Sequence, residues 1–253
     1  MSRGLNLSSS GLFALILLKL AAPLYAQQPS LDSLTNSLAQ TAPTPTAPSP
    51  PTGGQSTADA VRLLLHQSYD FLQKDQLDAA LDKANSAIQI DPKSLDAYGL
   101  RGSVYTEKKL WAEGEKDFQI VLQLSPDNAA AKFNLSEIKF RQKLYDDARP
   151  GFVALEKDPN LGDLSSYKVF LCDLLAGHED VATREHDAFN QIGSDPSYYF
   201  GNAFWSLYHH QTEDARGWLL SGIHIYSPAK VNLYTASLKD LGYLPLPPPP
   251  ANP

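Results

Sequence analysis

The amino-acid sequence predicts an all-α protein made of helical hairpins stacked one after another. Between residues 61 and 162, apolar and small side chains recur three and four positions apart, which is the spacing of one buried helix face. The pattern returns about every 34 residues, and Pro92 and Pro126 mark the ends of two successive pairs of helices. A chain that repeats one hairpin in this way forms an α-solenoid, in which each hairpin packs on its neighbours.

The clearest copy of the hairpin occupies residues 95–128. Its two predicted helices are joined at a turn near Lys108 and Lys109, and the second helix stops before Pro126. Gly102 has almost no side chain, so we expect it to let the two helices approach closely. The hairpin is therefore the packing unit of the fold.

The order of large, small, aromatic and proline residues in this copy resembles the tetratricopeptide repeat. The matching residues are Tyr98, Gly102, Tyr105, Gly114, Phe118 and Pro126. The resemblance covers three copies within residues 57–162, at 61–94, 95–128 and 129–162. The third copy departs from the pattern, because Lys132 and Lys139 replace large residues and Pro159 comes one position early.

Residues 163–243 keep helical periodicity while the repeat pattern weakens. We predict two divergent hairpins, the second formed by helices at 198–209 and 214–226, and then a capping helix at 230–241. A repeat array needs such a cap, because the last hairpin would otherwise leave an apolar face in water.

The first 26 residues have the pattern of a secretory signal peptide. Arg3 precedes a short apolar run, and Ala26 is a plausible cleavage position. The run is interrupted by Lys19 and is shorter than the roughly 20 apolar residues that cross a bilayer. We therefore expect an exported protein, periplasmic or secreted, with no membrane span after cleavage. An uncleaved anchor is the alternative, because Leu24 is large for its place before the cleavage position.

Two further segments are rich in proline. Residues 27–56 contain Pro, Ser and Thr with few charges, which predicts a disordered linker, and residues 244–253 (LPLPPPPANP) predict a polyproline II tail. The tail either folds back on the aromatic side chains of the fifth hairpin or offers itself to a neighbouring molecule, and the alternative is a solvated end. Those side chains are Tyr198, Tyr199, Phe200, Phe204, Trp205 and Tyr208.

The residues that carry out chemistry are sparse. Cys172 is the only cysteine and lies in an apolar helix, which indicates a buried, inert thiol. His209 and His210 are adjacent, and neighbouring helical side chains point about 100° apart, so they are poorly placed to share a metal. No phosphate-binding, nucleophile or zinc motif occurs, and we expect neither catalysis nor a cofactor or metal.

The resemblance also implies a binding surface. In tetratricopeptide repeats the first helix of each hairpin lines the concave side, where extended peptides or partner helices bind. The inward positions that match this pattern are Tyr69, Leu72, Phe133, Phe140, Tyr167, Phe200 and Phe204. The alternative is that these side chains pack between adjacent hairpins.

The formal net charge of −7 disfavours nucleic acid as a partner, because a phosphate backbone is bound by clustered Lys and Arg. It favours a basic or apolar protein segment. We therefore expect a non-catalytic adaptor or scaffold of the bacterial cell envelope. The alternatives are a structural or assembly factor in outer-membrane or cell-wall biogenesis, and an accessory subunit of an envelope enzyme.

Overall fold

The computed structural model describes residues 53–192 and 195–246, and these residues form eleven α-helices and no strands. This confirms the predicted all-α fold of stacked hairpins. The predicted signal peptide, most of the linker and most of the proline-rich tail lie outside the described residues. The helices are α1 Gly53–Gln73, α2 Leu77–Ile90, α3 Leu95–Glu107, α4 Trp111–Leu124, α5 Ala129–Arg141, α6 Tyr145–Val153, α7 Gly162–Ala176, α8 Glu179–Ile192, α9 Pro196–Tyr208, α10 Thr212–Ile225 and α11 Pro228–Asp240.

The chain forms two compact units that divide between Pro126 and Asp127. Unit 1 contains the hairpins α1–α2 and α3–α4. Unit 2 contains the hairpins α5–α6, α7–α8 and α9–α10, followed by the single helix α11. The division falls close to the boundary predicted between the second and third repeats.

The turn inside each hairpin keeps the repeat register through the fourth hairpin. One residue of each turn has a positive φ, and four of these residues lie 34 positions apart, at Asp75, Lys109, Lys143 and Gly177. The fifth, His210, comes one position early. Repetition therefore continues beyond residue 162 in the backbone, although the side chains that mark the sequence pattern have changed.

The same backbone hydrogen bond closes every one of these turns, as in a Schellman motif, where an amide bonds to a carbonyl five residues earlier. The donor and acceptor pairs are Gln76 N to Phe71 O, Leu110 N to Tyr105 O, Leu144 N to Lys139 O, His178 N to Asp173 O and Gln211 N to Ser206 O. The end of α11 has it too, from Tyr243 N to Leu238 O, with Gly242 at positive φ. Helix α11 thus ends like the first helix of a sixth hairpin.

Several first helices begin at a polar residue that caps the helix. The side chains of Ser94, Asn128, Asp195 and Ser227 each accept a hydrogen bond from the backbone amide three residues later. These caps begin α9 and α11 two residues earlier than predicted, because Pro196 and Pro228 are well suited to the first helical turn.

Two helices differ from the sequence prediction in length. Helix α1 begins at Gly53, within the segment predicted as linker, which shortens that linker by four residues. Helix α6 has 9 residues where α2 and α4 each have 14. Pro150 lies inside α6 and lacks an amide donor, so the helix ends soon after it.

The hairpin of α3 and α4 has the close approach predicted at Gly102. A Cβ atom placed on Gly102 would lie 3.0 Å from Cζ of Phe118, which is closer than ordinary contact. In the neighbouring hairpin of unit 1, the fully buried residues of α2 are alanines, at Ala80, Ala84 and Ala87. Among the described helices, none is long and apolar enough to span a bilayer.

Candidate functional site

Helix α11 lies across the first helices of the three hairpins of unit 2. It packs on α7 and α9, and its Asp240 carboxylate lies 3.4 Å from Nε of Arg141 at the end of α5. We call this layer of α5, α7 and α9 the inner face of unit 2. The inner face therefore already holds a helix, and that helix belongs to the same chain.

Tyr234 of α11 is the aromatic anchor of this contact. Its ring lies 5.1 Å from the ring of Tyr167 and stacks at 5.4 Å on Phe200. The Tyr167 hydroxyl donates a hydrogen bond of 3.2 Å to the backbone carbonyl of Tyr234. Burial raises the pKa of both tyrosines, so both hydroxyls stay protonated. Beyond the end of α11, the ring of Tyr243 packs against Phe204.

A buried lysine joins the inner face to α11. Nζ of Lys168 donates hydrogen bonds of 2.8 Å to Glu137 and 2.7 Å to Oγ of Ser237, which is on α11. It also lies 4.3 Å from the centre of the Phe140 ring. Lys168 and Glu137 are almost fully buried, so each charge depends on the other for compensation.

The structure places the seven predicted partner-contacting residues in three settings. Phe140, Tyr167, Phe200 and Phe204 are buried on the inner face of unit 2. Phe133 packs edge-to-face on Phe152 inside a hairpin, and Leu72 belongs to the core of unit 1. Tyr69 is half-buried. Packing thus accounts for six of the seven in this conformation, and their contact with a partner stays a prediction.

Tyr69 belongs to an accessible polar stripe along α1. The stripe consists of Asp59, Arg62, His66, Tyr69 and Asp70, and two short-range polar contacts run along it. Arg62 lies 3.0 Å from Asp59, and His66 lies 3.2 Å from Asp70. The ring of Tyr69 packs against the core of unit 1, and this burial and the Asp70 charge raise its pKa. We call this set the α1 stripe.

Sequence reasoning missed a hydrogen-bond network that joins three helices of unit 1. Nε and Nη2 of Arg101 each donate a 2.7 Å hydrogen bond to the Asp117 carboxylate, and Nη1 donates to Asn85 at 2.9 Å. These hydrogen bonds with the buried Asp117 raise the pKa of Arg101. A carboxylate within the apolar stripe of α4 was the signal that could have revealed the network.

A second network in unit 2 joins α6, α7 and α8. Nε of Arg149 donates to Asp173 at 2.7 Å, and its Nη2 lies 3.4 Å from Glu185. Nδ1 of His178 lies 3.3 Å from the other Asp173 oxygen. Burial and the Asp173 carboxylate raise the pKa of Glu185 to about 8. The network binds helices of the same unit to each other.

Cys172 is buried within α7, as the sequence indicated. Burial raises the pKa of its thiol well above the ordinary value, so the reactive thiolate form is suppressed. Within the described residues, no cluster of three or more His, Cys, Asp or Glu side chains is placed to hold a metal ion.

A layered array of hairpins with one helix held across its first helices defines a class of α-solenoid proteins.

No protein-family model matches the chain, and no curated protein sequence matches it. Solved structures do. The Pseudomonas aeruginosa pilF protein is 16% identical, with a TM-score of 0.54, over 74% of this chain and 94% of that protein. A tetratricopeptide repeat protein from Parabacteroides merdae is 17% identical, with a TM-score of 0.56, over 90% of this chain and 85% of that protein.

These likenesses show the fold. The chain has the tetratricopeptide-repeat fold that the spacing around Gly102 and Phe118 predicted. At such low identity they do not transfer a partner or a pathway.

Proposed function

We propose that this protein is a non-catalytic adaptor of the bacterial cell envelope that binds a helical or extended segment of another protein. The observation that carries the proposal is the helix held across the inner face of unit 2. Its tyrosine anchor packs on aromatic side chains of the inner face, as the apolar face of an amphipathic helix packs in a hydrophobic groove. The array is thus built to hold a helix on its first helices.

The inner face of unit 2 is covered by α11, so we assign partner binding to unit 1, at the α1 stripe. Two carboxylates, Asp59 and Asp70, lie along it beside the half-buried ring of Tyr69. A partner segment with basic side chains around an apolar or aromatic residue complements this surface. The negative net charge of the chain favours the same kind of partner.

Site-specific photocrosslinking tests this assignment. A photoreactive residue replaces Tyr69 in one variant and Asp82, an exposed residue of α2, in a matched control. We expect a discrete protein adduct in living cells from position 69 and none from position 82. Equal adducts from both positions, or no adduct from position 69, would contradict the proposal.

The partner obtained in this way is then purified and titrated against charge variants. Asp70→Lys should weaken a basic partner by about tenfold, which corresponds to about 1.4 kcal/mol, because it places a positive charge on the contact surface. Asp82→Lys makes the same change of charge on α2 and should leave the affinity unchanged. Equal weakening by both variants would indicate a general charge effect and no site at α1.

The envelope location rests on the signal-like pattern of residues 1–26 and has its own test. We expect the mature protein to be exported and to begin at Gln27. N-terminal sequencing of the protein from fractionated cells checks this. An uncleaved N-terminus on membrane-bound material would support the anchor alternative.

A further inference from the structure

Helix α10 carries an apolar surface that faces solvent. Leu220 is 61% exposed and Ile223 is 53% exposed, which makes them two of the most exposed large apolar residues among those described. At about 100° per residue, Leu220 lies on the side of the helix opposite to the buried residues Ala215, Leu219 and Gly222, and Ile223 lies at the edge of the buried side. Large apolar side chains exposed on a helix surface are candidates for contact with another molecule.

The other second helices are polar at the matching positions. Aligned on the hairpin turn, Leu220 corresponds to Asn85, Gln119 and Asp187, whereas Gly217 corresponds to Asp82, Lys116 and Arg184. The shortened helix α6 has Val153 and Pro150 there. Among the second helices of 14 residues, α10 therefore differs in having a small and a large apolar residue on its outer surface.

We infer that α10 pairs with α10 of a second copy of this chain in an antiparallel arrangement. The contact surface, which we call the α10 stripe, consists of Glu213, Gly217, Leu220 and His224, one or two turns apart on one side of the helix. With a two-fold axis between positions 218 and 219, Leu220 lies opposite Gly217 of the second copy. By symmetry, Leu220 of each copy then packs over Gly217 of the other copy, which has no side chain.

The polar residues at the two ends of the stripe can pair in the same register. Glu213 lies opposite His224 of the second copy, and His224 lies opposite Glu213 of the second copy. Both residues are exposed in the single chain, so a second copy can reach them. Glu213 also pairs with Arg216 at 3.3 Å within its own helix, which leaves Arg216 at the rim of the contact. One stripe thus satisfies size and hydrogen-bond complementarity with itself.

The pairing buries one helix face on each copy, less than a standard protein interface of about 1,600 Å². We therefore expect a weak dimer whose fraction rises with concentration by mass action. Sedimentation of the full-length chain and its mature form over roughly a hundredfold concentration range measures it. A monomer throughout that range would overturn the inference.

Gly217→Leu is the sharpest variant. Nothing lies within 4 Å of a Cβ atom placed on Gly217, so the single chain accommodates the change. In the dimer the new side chain fills the space that Leu220 of the second copy occupies, and the dissociation constant should rise at least tenfold. Leu220→Glu should have the same effect. Leu124→Glu, a change at an exposed leucine of α4, is the matched control and should leave association unchanged.

A charge exchange tests the register. Glu213→Lys should weaken the dimer, and the double variant Glu213→Lys with His224→Glu should restore it. Circular dichroism of each variant confirms that the monomer is folded. Association that persists in Gly217→Leu and Leu220→Glu, or that falls equally in Leu124→Glu, would overturn the pairing. A monomeric chain that instead binds a different helical protein through α10 would also overturn it.

Discussion

The two units join their hairpins through arginine–aspartate pairs of similar geometry but different surroundings. In unit 1, Arg101 makes two 2.7 Å hydrogen bonds to Asp117, and its second partner is the neutral amide of Asn85. In unit 2, Arg149 makes one 2.7 Å hydrogen bond to Asp173, and its second partner is another carboxyl group, Glu185. One guanidinium thus balances one carboxylate in unit 1 and faces two in unit 2.

The difference makes the network of unit 2 sensitive to pH. The pKa of Glu185 is raised from its ordinary value of 4.5 to about 8. Between pH 4.5 and about pH 8, the folded chain therefore holds a proton on Glu185 that the unfolded chain has lost. The stabilisation from this proton is fully present below pH 4.5 and is lost as the pH rises through about 8. The amide of Asn85 does not titrate, so it adds no such dependence to unit 1.

The largest effect is expected from removing the arginine of unit 1. Arg101→Met keeps the volume but leaves the Asp117 carboxylate, only 2% exposed, without its charge partner. The free energy of unfolding should fall by about 3–5 kcal/mol. Arg149→Met should cost less, because His178 remains 3.3 Å from Asp173. Urea unfolding of both variants checks the order, and equal losses would remove the distinction between the networks.

The next largest effect is expected from the close approach of α3 and α4. Gly102→Leu adds a side chain where even a Cβ atom lies 3.0 Å from the Phe118 ring, so the hairpin must open. The loss should be about 1–3 kcal/mol or more. Gly217→Ala, measured at a concentration where the chain is monomeric, is the matched control, because it adds a methyl group in open space within a helix and should raise stability by roughly 0.5–1 kcal/mol. An unchanged melting temperature for Gly102→Leu would contradict this packing.

The sequence predicted the hairpins well because local signals define them. Pro126 and Gly177 end helices through their own backbone chemistry, and Gly102 marks the close approach. The fourth hairpin kept its register although its side-chain pattern was lost, because the turn at Gly177 depends on φ and needs no particular neighbour.

The candidate site was predicted less well, because periodicity says which side of a helix is apolar and does not say what covers it. Tyr167 and Phe200 lie on the first helices, as the repeat pattern implied, but Tyr234 of α11 covers them. The packing of α11 depends on contacts about 67 residues apart in the chain, such as the hydrogen bond between Tyr167 and Tyr234. No local pattern encodes such a contact.

The pH dependence that Glu185 gives to unit 2 should disappear in Glu185→Gln. This change replaces the second carboxylate with an amide, as in unit 1. Above pH 8 the variant should be more stable than the wild type by about 1–2 kcal/mol, less than the full shift implies because the carboxyl group is partly solvated. At pH 4.5 the two proteins should be nearly equal, since Glu185 is then protonated in the folded wild type.

Thermal unfolding at a series of pH values measures this difference. Asn85→Asp is the reciprocal variant, because it gives Arg101 a second carboxylate partner and should introduce a pH dependence into unit 1. If Glu185→Gln leaves the slope of stability against pH unchanged, another group is responsible for it.

The smallest effect is expected from an exposed ion pair in unit 1. Nζ of Lys108, at the end of α3, donates a hydrogen bond to the Asp78 carboxylate in the first turn of α2, and the Asp78 side chain is 91% exposed. Water screens this pair and already solvates both charges, so Asp78→Asn should change the free energy of unfolding by less than about 0.5 kcal/mol. The pair joins neighbouring helices of one unit, like Arg101 and Asp117, and differs from them chiefly in burial. A double-mutant cycle with Lys108→Met isolates the pair energy, and high salt should abolish it. A coupling energy as large as that of the buried pair would mean that charge pairing itself, and not the desolvation of Asp117, holds the helices of unit 1 together.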